Sequence, residues 1–175
     1  MTDIQPALLG KAQIPQFGFG TWNLTASARE ATLHALHTGY RHIDTADIYN
    51  THQGIAAAIA DSGLPREEIF ITTKLWNNSV SRRRVGPAVD RFLQELNTDH
   101  IDLLLIHWPA KSIPFAETLE AMDEARQAGK VRWLGVSNFN VNQTKEALAS
   151  GVGIVNNQIE YNLNHMPQDN LDFCS

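Results

Sequence analysis

A chain of 175 residues with 43% hydrophobic and 19% charged side chains is long enough for one core and short for two domains, the balance of an ordinary globular protein. A formal net charge of -5, with Arg82-Arg83-Arg84 as a lone short basic cluster, argues against nucleic acid as a partner, and that cluster opens an expected helix, where it reads as a solvated face. The start, MTDIQPALLG, lacks a basic stretch followed by an apolar one, no run approaches the ~18 apolar residues of a membrane span, and the single Cys174 builds no disulfide framework; a cytoplasmic protein is expected, with Cys174 packed on a helix face rather than acting as a nucleophile.

Along the chain, ALLGKAQIP with Gly10-Lys11 at its centre predicts a tight hairpin. The apolar run FGFGTW (17–22) follows, then a helix over 27–37 that closes at Gly39, where a positive φ is wanted. RHIDTA (41–46) is a strand, and helical period returns over 53–61, closed by Ser62-Gly63 and Pro65. IFITTKLW (69–76) is the next strand. Residues 82–96 predict an amphipathic helix with Val85, Val89, Phe92, Leu93 and Leu96 at helical spacing. The strand IDLLLIHW (101–108), a helix over 116–127 stopped by Gly129, the strand VRWLGVSNF (131–139) and a helix over 142–149 come next. IVNNQIEYN (154–162) and the start of a helix over 168–174 complete six βα units.

Alternating strands and helices imply a parallel sheet, because parallel neighbours need a crossover, and the run 101–106, apolar except for Asp102, suits a strand covered on both faces. An open doubly wound sheet and a (β/α)₈ TIM barrel compete. The open nucleotide-binding sheet carries G-x-G-x-x-G after its first strand, which FGFGTWNL lacks. The polar residues also fall at the C-terminal ends of five different strands, where barrel enzymes place their chemistry. The barrel is favoured.

Three of those strand ends carry Asp44 and Tyr49 in HIDTADIY, Lys74 in IFITTKLW and His107 in IDLLLIHWP. A phenol with an ordinary pKa of about 10 is a reluctant acid. A neighbouring ammonium favours the phenolate, a carboxylate keeps the ammonium charged and aimed, and an imidazole can orient a carbonyl oxygen. The set suits protonation of a carbonyl oxygen. Singly, each has a plainer reading: Tyr49 as packing, Asp44 as a turn cap, Lys74 as an exposed strand end, His107 as structural. Together they point to a reductase. Ser137, Asn138 and Gln158 offer donors and acceptors to match a carboxamide. Trp22, Trp76 and Trp108 sit at or beside strand ends, as packing or as walls of a substrate pocket. Tyr161, beyond the sixth strand, is placed to stack on a bound ring. The remaining histidines, His34, His37, His42, His52, His100 and His165, have no metal-ligand spacing, and no metal is expected.

The strings IDTADIY, TTKLW, LIHWP, GVSNFN and NNQIEYN, in this order and at these separations, resemble the aldo-keto reductases, the NADPH-dependent carbonyl reductases built on a (β/α)₈ barrel. The similarity spans essentially the whole chain and is nearest to the bacterial 2,5-diketogluconate and methylglyoxal reductase branch. The resemblance implies one partial barrel domain over 1–175, an N-terminal hairpin followed by roughly the first six βα units. It implies NADPH-dependent reduction of small aldehydes, ketones or keto sugar acids, by a monomer when full length. In it Tyr49 is the proton donor, Lys74 lowers its pKa, Asp44 pairs with Lys74, and His107 binds and orients the carbonyl. Ser137, Asn138 and Gln158 match the positions that bind the nicotinamide carboxamide, with Asp44 and Thr21 on the same cofactor side.

Two features depart from the pattern. The family usually reads Asn-Glu shortly after the tyrosine, where this chain has Asn50-Thr51-His52, which leaves the anchoring of the following helix open. Barrels of this type also run to roughly 250 residues, so strands 7 and 8 are absent, with much of the grip on the dinucleotide. The expectation is a piece of a longer protein or an incomplete gene whose edge strands lie unpaired; made alone it would aggregate and bind NADPH weakly. Two other functions compete: a truncated or non-catalytic barrel serving as a nucleotide-binding or regulatory subunit or remnant, and a sugar-phosphate isomerase for which Glu160 is the available strand-end base.

Overall fold

The structure is a computed structural model that describes residues 8–110 and 113–174. The expectation that the N-terminus forms no leader falls largely on residues outside this range. A short antiparallel pair, β1 (Leu8–Leu9) and β2 (Ile14–Pro15), forms the expected hairpin, its turn running through Gly10 at φ 62°.

Six strands follow: β3 (Gly18–Gly20), β4 (His42–Asp44), β5 (Phe70–Leu75), β6 (Ile101–Ile106), β7 (Val131–Ser137) and β8 (Ile154–Gln158). They form one parallel sheet in sequential order. Between them lie α1 (Ala28–His37), α2 (His52–Ser62), α3 (Arg82–Leu96), α4 (Phe115–Gln127) and α5 (Val141–Ala149), with α6 (Gln168–Cys174) after β8. The helices match the periodicity to within a residue at each end. The strands are shorter than the runs, and Asp44, Lys74, Ser137 and Gln158 stay in the ladder at or near their C-terminal ends.

Side chains alternate across a strand, and the register makes two faces. Ile43, Ile71, Leu104, Leu134 and Val136 share one buried core with Leu36, Ile55, Val85, Val89, Phe92, Leu119 and Met122 of the helices. Each large side chain so buried contributes roughly 1.5–3 kcal/mol. The other face carries Asp44, Thr72, Lys74, Leu103, Leu105, Gly135 and Ser137, aligned in register across neighbouring strands.

This second face is concave. Asp44 and Gln158 lie on strands four places apart, about 19 Å in a flat sheet at 4.7–4.9 Å per strand, yet Gln158 Nε2 donates to Asp44 Oδ2 at 2.8 Å. Two side chains span such a gap only if the sheet curls, so the six strands form the wall of a partial barrel. Gly135 allows the tight approach at the β7–β8 turn of that wall, where the register shifts. A Cβ there would lie 2.7 Å from both Asn156 O and Leu105 Cδ2. Among the described residues β3 and β8 each pair on one side only, and β8 is half-buried throughout while β6 is buried throughout. One expectation is corrected here: Cys174 is exposed, because it ends a short helix with no fully buried residue.

Candidate active site

The C-terminal strand ends bring most of the singled-out residues together. Asp44 ends β4, Lys74 is next to last in β5, His107 follows β6, Ser137 ends β7 and Gln158 ends β8. Tyr49 closes a single helical turn, Asp47–Tyr49, which follows β4 and is ended by Asn50 at φ 53°. A left-handed Asn is tolerated there, and it turns the chain into α2.

Lys74 is the centre of this group, with its side chain 2% exposed. Its Nζ donates to Asp44 Oδ1 at 2.5 Å and to Thr45 O at 2.9 Å, and lies 5.4 Å from the centroid of the Tyr49 ring. Burial pulls its pKa below the ordinary lysine value, against the opposing pull of Asp44. Tyr49 Oη meets His107 Nε2 at 3.4 Å, the rings edge to face with centroids 5.6 Å apart. Burial, then the negative Asp44, push the Tyr49 phenol up to about 12. The resemblance implied a phenol lowered by Lys74. Here the ammonium is neutralised by a carboxylate in direct contact, so burial dominates.

His107 is held down at about 4 by burial and then by the Lys74 charge, against Asp44, so the imidazole is neutral at physiological pH. Its Nδ1 is buried without a hydrogen-bond partner. A bare ring nitrogen bears that more cheaply than an orphaned N–H, which assigns the proton to Nε2. Nε2 then donates towards Tyr49 Oη, and the phenol keeps its own proton for another acceptor. Trp76 packs edge-on against the His107 ring at 5.1 Å. Trp22 (70% exposed), Trp108 (46%) and Tyr161 (57%) stand open to solvent.

The carboxamide set adjoins this group. Ser137 Oγ donates to Gln158 O at 2.9 Å. Asn138, left-handed at φ 62°, spends both amide hydrogens, on His107 O at 2.9 Å and Ser137 Oγ at 3.1 Å. Gln158 Nε2 spends one on Asp44. What remains is an acceptor oxygen on each of Asn138 and Gln158 and one donor hydrogen on Gln158. That is the complement of a carboxamide, so these residues fit a nicotinamide. Thr21 is fully buried and turned inward: its backbone N and Oγ1 both donate to Asp44 O at 3.0 Å.

Sequence reasoning did not single out Thr45 and Thr51, whose hydroxyls meet at 2.7 Å while Thr51 also reaches Thr21 at 3.1 Å. The available signal was the string of threonines flanking Asp44 and Tyr49. Glu160 is exposed and accepts from Asn162 Nδ2 at 2.7 Å. Arg82 pairs with Glu120 and Glu124, as a solvated face does. Among the described residues no group of three His, Cys, Asp or Glu is arranged to hold a metal ion, and no helix is long and apolar enough to cross a membrane.

Residues 16–175 match the model of the aldo/keto reductase family. The chain is 42% identical to glycerol 2-dehydrogenase (NADP(+)) of Saccharomyces cerevisiae, covering 93% of this chain and 62% of that protein. It is 41% identical to methylglyoxal reductase DkgB of Escherichia coli O157:H7, covering 84% and 57%. The crystal structure of Bombyx mori aldo-keto reductase AKR2E4 in complex with NADP superposes with a TM-score of 0.80 at 39% identity, covering 89% of this chain and 57% of that one. The chain thus spans about 60% of the length of the curated relatives it matches, and its six-stranded wall is part of their (β/α)₈ barrel. Motifs, fold and strand-end geometry agree: the chain belongs to the aldo/keto reductase family.

Proposed function

We propose that the protein carrying this chain reduces small aldehydes and ketones to alcohols with NADPH, Tyr49 giving the proton. On this reading residues 1–175 form one partial barrel domain of a cytoplasmic reductase. The observation that carries the proposal is the contact of Tyr49 Oη with neutral His107 Nε2 at 3.4 Å, beside the buried Lys74–Asp44 pair.

A carbonyl oxygen near both Tyr49 Oη and His107 Nε2 receives the imidazole N–H as an orienting donor. NADPH, when bound, supplies the hydride to the carbonyl carbon. As charge grows on the oxygen, Tyr49 transfers its proton there, which leaves a phenolate and an alcohol. A phenol held at about 12 is fully protonated at neutral pH, so the acid is loaded before each turnover. Lys74 stabilises the phenolate, and Asp44 keeps the buried ammonium charged. Ser137, Asn138 and Gln158 would hold the carboxamide and so fix which ring face meets the substrate. Trp76, packed on His107, is an apolar wall for a small substrate. The similarity to methylglyoxal reductase DkgB makes methylglyoxal the first substrate to try.

The test is NADPH oxidation with methylglyoxal, in the wild type and in Tyr49→Phe. The variant is expected to lose roughly 10³-fold in kcat, with a melting temperature within about 2 °C of wild type because only a hydroxyl changes. Retention of more than a tenth of the rate would remove Tyr49 as the donor. No turnover in the wild type, with NADPH still bound, would favour a nucleotide-binding subunit.

A further inference from the structure

The reaction above leaves unused a buried imidazole beneath the Tyr49 turn. His52, in the first turn of α2, is 4% exposed and packs edge-on against Phe92 at 5.1 Å. Both ring nitrogens are engaged: Nδ1 with Glu95 Oε2 at 2.7 Å and Nε2 with Thr73 Oγ1 at 2.9 Å. A carboxylate only accepts, so Nδ1 carries the proton and Nε2 accepts from the Thr73 hydroxyl. Thr73 precedes Lys74 on β5, the two side chains on opposite faces.

The other arm returns to Tyr49. Glu95 Oε1 accepts from Arg91 Nη1 at 3.1 Å, and Arg91 Nη2 donates to Asp47 Oδ1 at 2.8 Å. Asp47 opens the turn that ends at Tyr49, and its Oδ2 accepts from Ser79 Oγ at 3.2 Å. Next to His52, Thr51 bonds the hydroxyls of Thr21 and Thr45, the residue that bonds the Asp44 carbonyl and the residue whose carbonyl receives Lys74. The Glu95 arm ties α2 to α3, but neither arm stops on those helices. These links end beside Lys74 and two residues before Tyr49.

We propose that His52 is a positioning residue for the Tyr49–Lys74 pair: it fixes the Tyr49 turn relative to the Lys74 strand, by bonding Thr73 directly and Asp47 through Glu95 and Arg91. The sequence position where the chain departs from its family thereby supplies its own anchor for α2, a neutral ring bonded at both ends.

The kinetic arm of the test rests on the reductase reading, so a second arm needs no turnover: the ¹⁵N NMR titration of the His107 ring, which faces both Tyr49 and the Lys74 charge. His52→Leu keeps the contact with Phe92 and removes both hydrogen bonds. It is expected to lower kcat about tenfold at unchanged KM for NADPH and to move the His107 midpoint by about half a pH unit. His52→Gln keeps an amide that can bond Thr73 and is expected to recover most of kcat. Arg91→Met alters a half-exposed side chain, cuts only the Asp47 arm, and is expected to fold, to lower kcat about threefold and to move the His107 midpoint in the same direction. A lower melting temperature in His52→Leu with kcat and the His107 titration both unchanged overturns the proposal. If His52→Leu does not fold, an Arg91→Met protein with wild-type kcat and titration overturns it instead. A wild type without turnover sinks the reductase reading alone, and the His107 titration then decides the role of His52.

Discussion

The two ends of the strand wall each carry a strand carboxylate paired with a cation, and they spend it differently. At the N-terminal ends, Asp102 on β6 is 2% exposed and both its oxygens are filled. Oδ2 accepts from Ile71 N at 2.9 Å and Arg66 Nη2 at 2.7 Å, and Oδ1 from Arg132 Nη1 at 2.9 Å. Arg66 donates as well to Ile69 O, Thr98 Oγ1 and His100 O, and His100 Nε2, 3.7 Å from Asp102 Oδ1, is left without a hydrogen-bond partner. At the C-terminal ends Asp44 holds Lys74 and Gln158, but the groups around it keep unspent capacity. His107 Nδ1 is unpartnered, Gln158 retains a hydrogen, and Tyr49 keeps a proton it surrenders only at high pH. A carboxylate with both oxygens filled stabilises, and a group that keeps open donors and acceptors is free to receive a ligand. The same element thus carries strength at its floor and chemistry at its rim.

Lys74→Met breaks the comparison most sharply. It is expected to cost about 100-fold in kcat through the unassisted Tyr49. Its stability loss should be smaller than that of a floor mutation, because the Asp44 side chain is 18% exposed and keeps Gln158. Asp102→Asn is the counterpart. Removing one partner of a buried, hydrogen-bonded ion network costs roughly 3 kcal/mol, which lowers the melting temperature by about 10 °C, while kcat per folded molecule stays near wild type. Thermal melts and steady-state kinetics on both variants check this pair of outcomes. A Lys74→Met protein less stable than Asp102→Asn would erase the distinction.

The pH dependence of stability is the mildest test. His42, His52 and His107 are all held below the ordinary histidine value of 6.5, chiefly by burial. Below pH 6.5 the unfolded chain takes up protons that the folded one refuses, so ∂ΔG/∂pH is positive. The stabilisation is complete above 6.5 and is lost as pH falls towards the His107 value of about 4. Melting temperatures should be level from pH 7.5 to about 6.5 and fall from there to pH 5, and His107→Asn should flatten part of that slope. A melting temperature independent of pH across this window would contradict the burial of these rings.

The rim was more legible in the sequence than the floor or the links beneath it. Asp44, Lys74 and His107 each end an apolar run, and polarity at the end of a strand stands out against Ile, Leu and Phe. Asp102 sits inside the run 101–106, where a carboxylate resembles any polar strand residue until Arg66 and Arg132, 36 and 30 residues away, converge on it. His52 was hidden for a similar reason. Its partners Thr73 and Glu95 come from a strand and a helix that meet only after the crossover is made, and no local period encodes that meeting. Left-handed Asn50 and Asn138 were equally unmarked, since asparagine is common in turns of every kind. Helix limits were readable because apolar spacing and glycine stops act locally. The pH character of Tyr49 was not, because it depends first on how deeply the fold buries the ring and then on the nearby charge of Asp44.

The hydrogen bond from Gln158 to Asp44 also sets an order of events during synthesis. It joins residues 114 apart, and closing a chain of that length costs about 4 kcal/mol of entropy on the (3/2)RT ln n scaling. Asp44, Tyr49 and Lys74 are all made early. Gln158 emerges 84 residues after Lys74, roughly 4–17 s later at 5–20 residues per second. Until then the second oxygen of Asp44 has no amide to hold it, and the concave face waits open on the nascent chain. The second oxygen of Asp44 is therefore partnered from the far side of the wall, by the sixth strand.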